Sequence, residues 1–135
     1  MIEMVFVLIL IGVLTSIVAP RVNVFLDDAR GARATGDIKA VQADIMNYLT
    51  QHDSLPPSLG AIQRSALQDP WGQPYVYSTP GGARLDQFGV PLNTAYDLYS
   101  VGADGATAAS IMAGASRDDI VLGNDGGFIG LATRY

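Results

Sequence analysis

Cysteine is absent from this 135-residue chain. No disulfide staples its fold, and neither a thiolate metal site nor a cysteine nucleophile is open to it. Histidine occurs once, as His52, so a Ser-His-Asp triad would have to use it, and no G-x-S-x-G elbow accompanies it. Basic residues are scarce: eight Lys and Arg stand against thirteen Asp and Glu, for a formal net charge of −5. Most of the excess acidity falls after residue 50, where eight acidic residues face four basic ones. A nucleic-acid partner wants a basic face, so none is expected for this part of the chain. The acidity leaves room for a cation site. Glycine clusters at 81–82, 102–105 and 123–127 lack a following Lys-Ser or Lys-Thr, which excludes a phosphate loop.

Charge is also missing from the first twenty residues, MIEMVFVLILIGVLTSIVAP, with one exception. Glu3 is the only charged side chain before Arg21. A bilayer-spanning helix needs about 20 apolar residues, and this run has that length. A carboxylate inside such a run costs a few kcal/mol, which makes Glu3 a functional candidate. No Lys or Arg precedes the apolar run and no A-x-A-like pattern follows it, so it reads as a retained anchor rather than a cleaved secretory signal.

Pro20 marks a change of character. Proline removes a backbone donor and crowds the preceding turn, so a bend is expected there. Helical spacing resumes with Val22, Phe25 and Ala29, then with Ile38, Val41, Ile45 and Tyr48. Asp27 and Arg30 lie three apart and can pair weakly. The helix should stop near Gln51, ahead of His52-Asp53-Ser54 and the Pro56-Pro57 breaker. This divides the chain into an apolar half-helix, 1–20, and a soluble head, 21–135, that includes an amphipathic half-helix, 21–51.

The remainder reads as short strands and structured loops. Residues 58–67 suit a short helix, and Asp69-Pro70-Trp71-Gly72-Gln73-Pro74 is a dense turn signal. Strands are expected over 75–77 and 96–101, with a third strand or an ordered end over 128–135. Residues 106–116 are rich in small side chains and suit an insertion or a short helix. Trp71 is expected to pack its turn against the core, and His52 to lie on the surface.

Two groups of residues resemble known families. Met1-Ile2-Glu3 with Pro20 matches the stem of type IV pilin-like proteins, whose mature chains open on a Phe-Thr-Leu-Ile-Glu pattern followed by an apolar helix with a proline near its end. Asp69-Pro70-Trp71-Gly72-Gln73-Pro74-Tyr75 matches the DPWG-x-x-Y signature of the major pseudopilin of type II secretion systems. Tyr96-Asp97-Leu98, Ser100-Val101-Gly102-Ala103-Asp104-Gly105 and Asp118-Asp119-Ile120 resemble that family's YDL, S-x-G-x-DG and DDI pieces, with a longer gap between Asp104 and Asp118.

The resemblance implies an α+β pilin fold: a long kinked N-terminal helix on a small antiparallel sheet with a structured C-terminal loop. It implies a structural subunit of a pseudopilus, not an enzyme, that polymerises through its apolar helix to drive protein secretion. The alternative is a major or minor type IV pilus subunit serving adhesion, motility or DNA uptake. The lack of a cysteine pair and the DG…DDI loop favour the first. Implied partners are further copies in a helical filament, other pseudopilins or pilins, the inner-membrane assembly platform, and a prepilin peptidase acting on a leader upstream of Met1. The chain would sit in a bacterial inner membrane, crossing it once with its head in the periplasm, before joining a periplasmic or extracellular filament. Methylation of the mature N-terminus is implied as well. Glu3 would pair with the N-terminal amine of a neighbouring subunit, and Pro20 would shape the stem. The resemblance further implies Ca²⁺ on the side chains of Asp104, Asp118 and Asp119, with carbonyls from Val101 and Leu122. An EF-hand is excluded, because its D-x-D-x-D-G spacing and terminal Glu are missing.

Overall fold

A computed structural model describes residues 1–135, except for the side chains of residues 19 and 20. The bend expected at Pro20 falls on these two and lies outside the described residues. Helix α1 runs Ile2–His52. Four strands follow: β1 Val76–Ser78, β2 Asp97–Ser100, β3 Ile120–Gly123 and β4 Phe128–Leu131. The chain forms two compact units, Met1–Arg30 and Gly31–Tyr135.

The first unit is helical, and every described residue in it is exposed. Its one helix is long and apolar enough to cross a membrane. Thr15 and Ser16 do not disturb it, because their hydroxyls donate back to the carbonyls of Ile11 and Val13, each at 2.7 Å. Hydroxyls satisfied in this way are tolerated in lipid or in a dry bundle. Arg30 reaches Asp27 at 3.1 Å, the expected pair. Val22 and Phe25 point to no core of their own: both are exposed.

In the second unit the helix acquires an inner face. Ala34, Ile38, Val41 and Ile45 are fully buried, at the 4-3-4 spacing that places residues on one helical stripe. The amphipathic packing therefore starts at Ala34 rather than at residue 21. The helix ends one residue beyond Gln51, where Asp53 takes a left-handed conformation (φ 52°) and its N–H closes on the Leu49 carbonyl at 2.8 Å. Residues Leu59–Ile62 form one 3₁₀ turn where a short helix was expected.

The sheet is an antiparallel meander in the order β1-β2-β3-β4. Its register pairs Tyr77 with Leu98, Tyr99 with Val121, and Leu122 with Ile129. Leu98, Ile120 and Leu122 face the helix stripe and form the main core with Tyr75 and Tyr96. Trp71 packs on the edge of this core, as expected of the turn it belongs to. On the opposite sheet face, Val121 gathers with Leu92, Ile111 and Ala132, which are loop and tail residues. Both faces are thus covered, and all four residues of β3 are buried. This strand was not anticipated: a strand buried on both sides shows no period-two alternation to read. The tail splits into β4 and a 3₁₀ turn, Ala132–Arg134.

Tyr75 ties the sheet side to the helix by donating its hydroxyl to Asp37 at 3.0 Å. Burial, then that hydrogen bond to a carboxylate, pushes the Tyr75 phenol well above its ordinary value. Tyr77 donates to the Pro56 carbonyl at 2.8 Å, and burial pushes its phenol up to about 12.

Candidate functional site

The stem offers one functional carboxylate. Glu3 lies in the first turn of α1, exposed, and makes no ion pair among the described residues. Around it Ile2, Met4, Val5 and Phe6 are all exposed. An isolated stem in this state presents apolar surface on every side, which demands lipid or other helices. The Pro20 side chain is outside the described residues.

The head carries the second candidate. Asp69 opens its turn by accepting from the Trp71 and Gln73 amides at 3.0 and 2.8 Å, and its other oxygen accepts from Ser100 Oγ at 2.5 Å. The DPWG turn is thereby fastened to β2. Asp97, in the same strand, is fully buried. Its Oδ2 accepts from the backbone amides of Gly82, Ala83 and Arg84, and its Oδ1 from Asn93 Nδ2 at 2.9 Å. A carboxylate out of water is tolerable only with such a shell of donors. Here the shell organises the long β1–β2 connection.

Asp104, Asp118 and Asp119 flank the 105–117 loop. Asp104 is exposed and accepts from the Ala106 amide at 2.8 Å. Asp118 Oδ2 accepts from the Asp104 amide at 2.9 Å. That approach needs Gly102, whose φ is +70° and whose Cβ, were there one, would lie 2.5 Å from the Asp118 carbonyl oxygen. Asp119 is fully buried. Its Oδ2 accepts from the Thr107 hydroxyl and from Arg84 Nη2, both at 2.6 Å. Burial pushes the Asp119 carboxyl above its usual value, and the Thr107 hydrogen bond and the Arg84 charge oppose that rise. The Leu122 carbonyl accepts from Asn93 Nδ2 at 2.8 Å within the sheet region. Val101 follows β2 and is half-buried.

The fit to calcium turns on these donors. Calcium takes about six to eight oxygens. Among the described residues no three acidic or histidine side chains gather as a metal-holding group. The Leu122 carbonyl and Asp119 Oδ2 each already accept a hydrogen bond, while Asp119 Oδ1 is buried without a partner among the described residues. The three carboxylates, as they stand, therefore do not gather as a hard-cation site among the described residues.

Asp104, Asp118 and Asp119 were expected from the sequence, whereas Arg84, Asn93, Asp97 and Thr107 were not. Asp97 carried a usable signal, a lone charge inside an otherwise strand-like run. Arg84 carried none, since an arginine in a glycine-rich turn ordinarily stays in solvent.

Residues 58–118 match the family described as "Type II secretion system (T2SS), protein G". The chain is similar to the Type II secretion system core protein G of Pseudomonas aeruginosa, 28% identical over 145 residues that cover 92% of this chain and 91% of the relative. It is likewise similar to the Type II secretion system core protein G of Escherichia coli, 30% identical over 127 residues that cover 78% and 80%. No solved structure matches. An exposed apolar stem, a helix on a four-stranded meander, the DPWG turn fastened to β2, and these relatives together place the chain in the protein G family of type II secretion systems, the major pseudopilins.

Proposed function

We propose that this chain is a structural subunit of a type II secretion pseudopilus, assembled by packing apolar stems into a helical core while the heads form the outer layer. The observation that carries this reading is the contrast between the two units. From Met1 to Arg30 every described residue is exposed and most are apolar, whereas Gly31–Tyr135 buries its own core. The stem needs a partner environment and the head does not. Lipid supplies it before assembly, with the stem in the inner membrane and the head on the periplasmic side. Neighbouring stems supply it afterwards.

Glu3 then acts as a registry point. In a dry helical bundle an unpaired carboxylate is strongly unfavourable, and a cationic partner at one axial offset relieves that cost at one offset only. The processed N-terminal amine of the next subunit has the charge and the location for this. Prepilin peptidase, the other pseudopilins and the inner-membrane assembly platform complete the set of partners. The work is mechanical, and no catalytic side chain enters it. Both relatives are named as secretion proteins, so the pilus alternative is not favoured. Deleting the gene should abolish export of the host's type II cargo, and a plasmid copy should restore it. Undiminished export from the deletion strain would overturn the reading.

A further inference from the structure

We propose that the Arg84 guanidinium is the resident cation of the head, locking the 105–117 loop onto the sheet so that its order does not depend on a divalent metal. Arg84 belongs to the β1–β2 connection and is 2% exposed. Its Nη2 donates to Asp119 Oδ2 at the threshold of β3. Its Nη1 donates to Thr107 Oγ1 and, at 2.7 Å, to the Ala108 carbonyl, both in the β2–β3 connection. The Tyr99 ring of β2 lies under the guanidinium, 4.5 Å from ring centroid to Cζ. One planar cation thus joins the β1–β2 connection to β2, to the β2–β3 connection and to the start of β3.

The backbone reinforces the same seam. Arg84's neighbour Leu85 donates to the Ala109 carbonyl at 2.7 Å and accepts from Ile111 at 3.0 Å, while the Ser116 hydroxyl closes the loop's base on Ala108. Arginine suits this task because its fork presents several fixed donors at once and it stays charged when buried. A divalent ion at Asp119 would meet a guanidinium already bonded to that carboxylate, and like charges repel strongly in a dry interior. Asp119 Oδ1 is the one buried carboxylate oxygen without a hydrogen-bond partner among the described residues, far short of a calcium shell.

Hydrogen exchange of the full chain in detergent micelles, read by mass spectrometry on peptides spanning 105–117, tests this. The wild type should exchange at the same rate in excess Ca²⁺ and in EDTA. Arg84→Gln should exchange about tenfold faster or more in both, since breaking a buried pair frees the segment it held. Arg84→Lys, which keeps the charge and loses the fork, should fall between. Loop protection in the wild type that collapses in EDTA and returns with Ca²⁺ would overturn the proposal, and so would Arg84→Gln exchanging like the wild type. Should Arg84→Gln fail to fold, the wild-type comparison between Ca²⁺ and EDTA still decides.

Discussion

Ser100 Oγ donates to Asp69 Oδ2 at 2.5 Å, and both residues are buried. Through this bond the DPWG turn and strand β2 form one piece. Asp69 also holds two amides of its own turn, so Asp69→Ala removes three hydrogen bonds to a charged acceptor. The expected loss is about 2–4 kcal/mol of head stability, with Ser100→Ala losing about 1–2. Urea unfolding followed by the fluorescence of Trp71, the one tryptophan, measures both.

The helix stripe sets a contrast between neighbours. Ile45 is fully buried against the sheet and Met46 is half exposed beside it. Ile45→Ala should destabilise the head by about 2–4 kcal/mol and Met46→Ala by about 0.5 or less. Equal effects in urea unfolding would contradict the packing described.

Gly102 is required twice, by its positive φ and by the approach of Asp118. Gly102→Ala should destabilise by about 2 kcal/mol or more, against the roughly 0.4–1 kcal/mol gain seen where alanine fits. Gly114, which has open space around it and no positive φ, is the control.

Acid stability should carry a mark from Asp125. Its carboxylate accepts from the Thr94 amide, the Thr94 hydroxyl and the Ala95 amide, and these bonds hold its pKa below the usual carboxylate value. A depressed folded pKa means a contribution that is complete above the unfolded value of about 3.9 and is lost as pH falls through the folded one. Asp125→Asn should therefore lose stability at neutral pH and show a flatter decline into acid. Parallel stability–pH curves for the two proteins would contradict this.

What the sequence disclosed follows from which signals survive folding. The stripe Ile38, Val41, Ile45 was legible because one face is buried and the other wet. Strand β3 was not, because Leu92, Ile111 and Ala132 cover its second face and remove the alternation. The same helical spacing at Val22 and Phe25 suggested a packed face, yet these residues belong to the exposed stem. Glu3 stood out as a charge among apolar residues. Arg84 did not, for its burial depends on Asp119 and Thr107, which lie more than twenty residues away and meet it only in the folded head.

Assembly tests the central claim most directly. Electron microscopy of sheared surface filaments, from cells overproducing this chain alongside the secretion machinery, should show thin helical filaments that react with antibody to the head. Glu3→Ala should leave the head folded and the filaments absent or sharply fewer. Abundant filaments from Glu3→Ala would contradict the registry role, and no filaments from the wild type would contradict the account as a whole.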